Sequence, residues 1–372
     1  MIPVNEPRLS GKELEYVTEC LQTGWISSEG RFIEAFERGW AEYCGMPHGV
    51  AVCNGTAALE VAVACLGLQP GDEVILPSFT IISCVLAVLY SGATPVLVDS
   101  DPRTWCMDVS QVEAKITPRT RALMPVHIYG HPADMDPLIA LAEKHHLTII
   151  EDAAEAHGAE YRGRRCGGLG ELSCFSFYAN KIVTTGEGGM VLARDASHAD
   201  RLRSLRNLCF RKERRFYHTE LGHNFRLTNI QAALGLAQLE GIEAALEQKR
   251  WMGTAYTSRL AALDGLQLPV EESWAKNVYW MYGLVLDERL GVDAAEFARR
   301  LSARGIMTRP FFLGMHEQPV LHERGLFKDE KYPVAEKLAR QGLYLPSGLT
   351  LTKAQLDEVC TGVEAEWQNL NR

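Results

Sequence analysis

At 372 residues and 41.4 kDa, the chain has room for two domains at about 150 residues each. Hydrophobic residues make up 47% and charged residues 23%, with ordinary shares of Gly and Pro, which excludes disordered, collagen-like and low-complexity classes. A formal charge of -9 argues against a nucleic-acid partner, so any anionic ligand must be held by a local site.

From about residue 49 to 195, short apolar runs alternate with helical patterns. Strands are predicted at 49–52, 73–76, 94–98, 122–126, 148–150, 173–176 and 189–193. Helices are predicted between several of them, at 56–66, 78–91, 108–115 and 134–145, with turns at QPGDE, SGATP and GHPAD. The alternation predicts an α/β fold whose large domain carries a mostly parallel seven-stranded sheet flanked by helices. Apolar spacing over 229–248 predicts one long amphipathic helix, followed by a connecting helix at 249–263. A smaller α+β part (279–306) and a C-terminal helix from Lys353 complete the chain. The domains are therefore placed at 1–248, including an N-terminal segment, and at 249–372, with no Pro- or Ser-rich linker between them.

The most apolar stretch, 83–98, is broken by Ser91, Gly92, Thr94 and Pro95, so no transmembrane helix and no membrane partner are expected. The opening MIPVNEPRLSGKE lacks a basic region followed by an apolar one, and predicts no secretory leader. Ten cysteines without a C-x-x-C pair predict free thiols in a reducing cytoplasm, with no metal site.

Three local patterns carry chemistry. Asn54-Gly55-Thr56-Ala57-Ala58 follows a predicted strand and opens a predicted helix. Gly55 permits close backbone approach, Thr56 offers a hydroxyl, and the helix start presents free N–H groups suited to a phosphate. An ordinary capped helix start explains the same residues. Strand 148–150 runs into Glu151-Asp152 and then Glu155, at the strand end where ligands sit in open α/β sheets. A carboxylate there can hold a protonated ring nitrogen; an N-cap aspartate with a first-turn glutamate is the plain alternative. In SCFSFYANKIVTTGEGGM, Lys181 is the only lysine between Lys144 and Lys212 and sits among apolar residues. A desolvated amine of lowered pKa suits a Schiff base, whereas a snorkelling edge lysine is the alternative. Ser176, five residues earlier, is within reach of a phosphate. Phosphate cradle, strand-end aspartate and embedded lysine, in that order, describe a pyridoxal 5'-phosphate site.

Over essentially its whole length the chain also resembles the DegT/DnrJ/EryC1/StrS sugar aminotransferases of pyridoxal-phosphate fold type I, the aspartate aminotransferase-like fold. The resemblance rests on PVNEPRLSGKELEYV, GWISSEGRFIEAFE, NGTAAL, GDEVILPSFT, PVHIYG, EDAAEA, FSFYANKIVTTGEGGM, GHNFRLTNIQAALGLAQL and RPFF. It implies that Lys181 is the Schiff-base lysine and proton shuttle, and that Asp152 pairs with the pyridine nitrogen. Glu155 would sit near the ring hydroxyl, where many relatives carry Gln. Gly55, Thr56, Ala57 and Ser176 would hold the phosphate, with Asn224 of GHNFR reaching in from the second subunit of a homodimer. Ile81 of PSFTIISC occupies a position where relatives often stack an aromatic ring on the cofactor; the ring would rest on Ile81 or on a neighbour such as Phe79. Relatives that replace the lysine with His become dehydratases, and Lys181 argues against that chemistry.

The implied reaction is a ping-pong transfer from L-glutamate to a nucleotide-linked keto-deoxysugar, and the chain most resembles members that aminate C4 of GDP-4-keto-6-deoxymannose. UDP- or dTDP-linked 3- or 4-keto sugars and keto-cyclitols are alternatives. So are a lyase or dehydratase using the same cofactor, and a non-enzymatic regulatory protein of the same fold. Substrate-pocket candidates are Trp25 and Ser27 of GWISS, His127 of VHIYG with Tyr129 beside it, Arg309 of TRPFF, and His316. A satisfied core histidine is the competing reading of His127. The basic run 201–215 is a candidate for the diphosphate, or else a solvated helix face and loop.

Overall fold

The computed structural model describes residues 1–9, 11–211 and 213–370. All seven predicted strands form, and they share one sheet. In chain order the strands are β1 (His48–Val52), β2 (Glu73–Pro77), β3 (Thr94–Val98), β4 (Thr120–Leu123) and β5 (Thr148–Asp152). A short ribbon, β6 (Glu160–Tyr161) and β7 (Arg164–Arg165), precedes β8 (Leu172–Ser176) and β9 (Gly189–Ala193). The sheet order is β1-β9-β8-β5-β4-β2-β3, and only the pairings of β9 are antiparallel. Strands such as β2 and β9 are buried along their whole length, as expected when helices cover both faces.

Three predictions shift for identifiable reasons. The 122–126 strand ends at Leu123 because Pro125 has no N–H to give the ladder. The 78–91 helix begins only at Ile82: the Ser78 N–H is tied to Val98 and its carbonyl to the Met315 N–H, both at 2.8 Å, which holds the chain extended. The single helix predicted over 229–248 is two, Asn229–Glu240 and Ile242–Leu260, jogged at Gly241, whose N–H closes on Gln238 and Leu239 carbonyls. The second of these absorbs the predicted connecting helix and crosses residues 248 and 249 without interruption.

The remaining strands are β10 (Leu266–Gln267), β11 (Ala275–Lys276), β12 (Tyr282–Leu286), β13 (Arg309–Pro310) and β14 (Gly342–Leu345). Four of them make an antiparallel sheet, β10-β12-β14-β13, while β11 pairs with β6. With the helices Ala294–Ala303 and Lys353–Leu370 this sheet buries a second core around Tyr282, Leu284, Phe297, Leu343 and Val359, which also takes in Ile2. All ten cysteines are free, nine of them buried. Among the described residues no helix is long and apolar enough to cross a membrane, and no cluster of His, Cys, Asp or Glu is arranged to hold a metal.

Candidate active site

The carboxyl ends of β5 and β8 and the starts of the Gly55–Cys65 and Ile82–Tyr90 helices enclose a cavity of about 560 Å³. Its walls bring together Gly55, Thr56, Ala57, Ile81, Asp152, Glu155, Ser176 and Lys181. Trp280, Phe312 and Tyr344 enter from the far part of the chain.

One end is built for an anion. Asn54 caps the helix, its side-chain oxygen accepting the Ala57 N–H at 2.8 Å, and the remaining first-turn amides lack helical acceptors. The hydroxyls of Thr56 and Ser83 lie 2.8 Å apart, and Ser176 ends β8 beside them in the cavity wall. A Cβ on residue 55 would stand 2.6 Å from Ser176 Cβ, so glycine is what lets the helix start approach the strand end. Gly55→Ala is therefore expected to cost about 1–3 kcal/mol in urea denaturation and to weaken binding of a phosphate-bearing ligand.

At another wall sits the buried Asp152 carboxylate. Its Oδ1 accepts the Ala154 N–H at 3.1 Å and its Oδ2 accepts the Cys84 thiol proton at 3.0 Å. Strand alternation sends its neighbour Glu151 to the other face. There Glu151 accepts N–H groups from Gly167, Leu169 and Gly170 at 2.6–2.7 Å.

Lys181 Nζ lies 3.8 Å from Glu155 Oε1 and 3.6 Å from the centre of the Trp280 ring. Burial pushes the Glu155 carboxyl up to about 7 and lowers the Lys181 amine, while their mutual attraction opposes both shifts. Tyr129, held at φ 52°, gives its N–H to Glu155 Oε2 at 2.7 Å. The Trp280 indole N–H is anchored on the Asn180 carbonyl at 2.8 Å, so the platform under the lysine is fixed to the residue preceding it.

The other candidates lie elsewhere. His127 is fully buried: the Ala133 N–H donates to Nδ1 at 3.0 Å, so Nε2 carries the proton and donates to Glu151, also at 3.0 Å. It is a core strut rather than part of the wall. His316 is buried between Ser78 Oγ (2.7 Å) and Glu336 Oε1 (3.3 Å). Arg309 is exposed and faces Tyr344 across the β13–β14 pair. Asn224 accepts from Arg226 at 2.6 Å outside the cavity, although Phe225 lines it. Trp25 lines a separate cleft of about 870 Å³ with Arg31, Arg203 and Arg206. Ser27 is exposed near that cleft, its carbonyl accepting the Asn229 N–H at 2.6 Å. Within the basic run, Arg201 pairs with Glu220, Arg203 with Asp200 and Arg206 with Glu37; Lys212 lies outside the described residues. Ile81 lies in the cavity wall, half exposed, whereas Phe79 is fully buried among Tyr129, Phe311 and Phe312 and offers the cavity no face. Trp280, Phe312, Tyr344 and Asn180 also line the cavity, and the sequence alone does not mark them as site residues. The aromatic run Tyr279–Tyr282 and the RPFF motif were the available signals, but nothing local ties them to Lys181.

Hydroxyls and helix-start amides at one wall, a buried carboxylate at another and a desolvated amine beside Glu155 fit the phosphate, ring nitrogen and aldehyde of pyridoxal phosphate. Fold and site together define a pyridoxal-phosphate-dependent aminotransferase of fold type I. The chain belongs to the DegT/DnrJ/EryC1/StrS aminotransferase family, whose sequence model matches residues 7–364. It is 45% identical to the GDP-perosamine synthase of Caulobacter vibrioides, over 98% of this chain and 97% of that one. With the GDP-perosamine synthase of Escherichia coli O157:H7 it shares 42% identity, over 97% of each chain. The crystal structure of the aminotransferase TlmJ from Streptoalloteichus hindustanus matches all of both chains at 31% identity and a TM-score of 0.93.

Proposed function

We propose that the protein moves the amino group of L-glutamate to C4 of GDP-4-keto-6-deoxymannose, forming GDP-perosamine in the cytoplasm. The observation that carries the transamination is the Lys181 amine at 3.8 Å from Glu155, in one cavity with Asp152 and the Thr56–Ser176 cradle. The acceptor is supported by the two GDP-perosamine synthases at 45% and 42% identity over nearly full length.

Pyridoxal phosphate, when bound, supplies the carbonyl that takes up nitrogen and an electron sink for the substrate carbon. Thr56, Ser176 and the Gly55 helix start would hold its phosphate, with the Ala57 N–H closing the cap on Asn54. Asp152 would keep the proton on its ring nitrogen, and Ile81 supplies an aliphatic surface at the wall. Glu155, whose carboxyl burial pushes up to about 7, would lie toward the ring hydroxyl and could hold or release one proton there. Lys181 Nζ, kept unprotonated more readily by burial, removes a proton from the donor's Cα and later delivers one to the sugar carbon that receives nitrogen.

Asn224 acts in the site of a second copy of the chain. Its segment exposes Phe216 (81%) and Leu221 (93%), apolar side chains that a homodimer would cover. Trp25, Ser27, Arg203 and Arg206, at or beside the 870 Å³ cleft, meet the nucleotide end, and Arg309 beside Tyr344 meets the sugar. His127 and His316 support the walls from behind. Residues 1–248 provide the cofactor site and residues 249–372 its aromatic cover. The unpaired cysteines favour a reducing compartment.

The test is an absorption spectrum of the purified protein before and after L-glutamate. A visible band that gives way to a shorter-wavelength one supports the donor half-reaction; a band indifferent to every amino acid favours a lyase. Melting with nucleotide-sugars then identifies the acceptor. A GDP-linked sugar at 100 times its Kd should add about 2.7 kcal/mol, and a larger gain with a dTDP- or UDP-linked sugar at that same concentration would overturn the GDP assignment.

A further inference from the structure

We propose that Cys84 is a positioning residue for Asp152: its thiol proton fixes Oδ2, leaving the carboxylate's charge available to the cofactor's ring nitrogen. The inference rests on the reading of Asp152 as the ring-nitrogen partner. Cys84 is in the first turn of the Ile82–Tyr90 helix, fully buried, with Sγ 3.0 Å from Asp152 Oδ2 and 3.3 Å from Thr80 Oγ1. A carboxylate can only accept, so the thiol donates to Asp152 and the Thr80 hydroxyl is left to donate to sulfur.

The preceding residue, Ser83, places its hydroxyl on Thr56 at the phosphate cradle. Two adjacent side chains of one helix turn thus reach the two ends of the cofactor site. An S–H is a weak donor, so it orients Oδ2 while drawing off little of its charge, and a serine hydroxyl at residue 84 would orient it too. Burial and the facing Asp152 charge both disfavour the thiolate, which keeps the proton on sulfur. On the other side Oδ1 is held by the Ala154 N–H, so the two contacts fix the plane of the carboxylate.

The first measurement uses the apoprotein. An infrared difference spectrum, wild type minus Cys84→Ala, is expected to contain an S–H stretch displaced below that of a free thiol. The same difference taken in the Asp152→Ala background is expected to return to the free-thiol position. If Asp152→Ala does not fold, Asp152→Asn, a weaker acceptor, should move the band in the same direction by less. A free-thiol band in the wild type, or a band indifferent to residue 152, overturns the proposal. In the holoenzyme, Cys84→Ala is expected to slow the L-glutamate half-reaction about fivefold, the effect of one ordinary hydrogen bond, with KM for glutamate unchanged. Cys84→Ser should recover most of that rate. Wild-type rate in Cys84→Ala, or no recovery by serine, also overturns it. A protein without any visible band would sink the cofactor reading instead, and the infrared result would stand apart from it.

Discussion

Alanine in place of Lys181 is expected to lower turnover by about four orders of magnitude or more while the protein stays folded. Lys181 carries the only side-chain amine among the described residues of the cavity wall. Burial lowers its affinity for a proton, against the pull of Glu155 and Asp152, which favours the free amine that acts as nucleophile and base. Removing it leaves Glu155 buried beside Trp280 without a cation. That carboxyl is already pushed up to about 7 by burial, so it keeps its proton and no naked charge is stranded. The stability loss should stay within about 2 kcal/mol. Steady-state assays with saturating L-glutamate, alongside urea denaturation, measure both quantities. A folded alanine variant that still transaminates would exclude Lys181 from the chemistry.

Asp152→Asn should produce the next largest loss, about two to three orders of magnitude in turnover, the size expected for breaking a buried charge pair. Two donors already point at this side chain, the Ala154 N–H at Oδ1 and the Cys84 thiol at Oδ2. Asparagine offers one oxygen and one NH₂, so in either flip its NH₂ opposes one of those donors. The unmatched group should cost about 1–3 kcal/mol of stability, and a neutral amide has no charge with which to retain the ring proton. The assay is kcat with L-glutamate, read beside the pH dependence of the visible band. A kcat near that of the unmodified protein would mean that Asp152 does not hold the ring nitrogen.

Much of this site is legible in the sequence because its parts are local. Asn54 caps its own helix three residues on, and Asp152 and Ser176 stand at the ends of strands whose apolar pattern marks them. Lys181 stands out because so little charge surrounds it in the chain. His127 and Asp152 look equally suited to a site, yet one is locked in the core by Glu151 and Ala133 while the other borders the cavity. No local pattern distinguishes the two, since each is set by what packs against it. The break at Gly241 shows the same limit in a helix: apolar periodicity runs on through the glycine, whereas the backbone turns there.

By itself the sequence determined the strands, the capped helix starts and the identities of the residues at the strand ends, because hydrophobic period, capping and glycine tolerance act within a few residues. Only the tertiary structure decided that Trp280 lies under Lys181, that Cys84 gives its proton to Asp152, and that His316 is buried on Ser78. Those contacts join residues 68 to 238 positions apart. At such separations the partner is chosen by how whole sheets and helices bury their apolar faces, and no short-range signal records that choice.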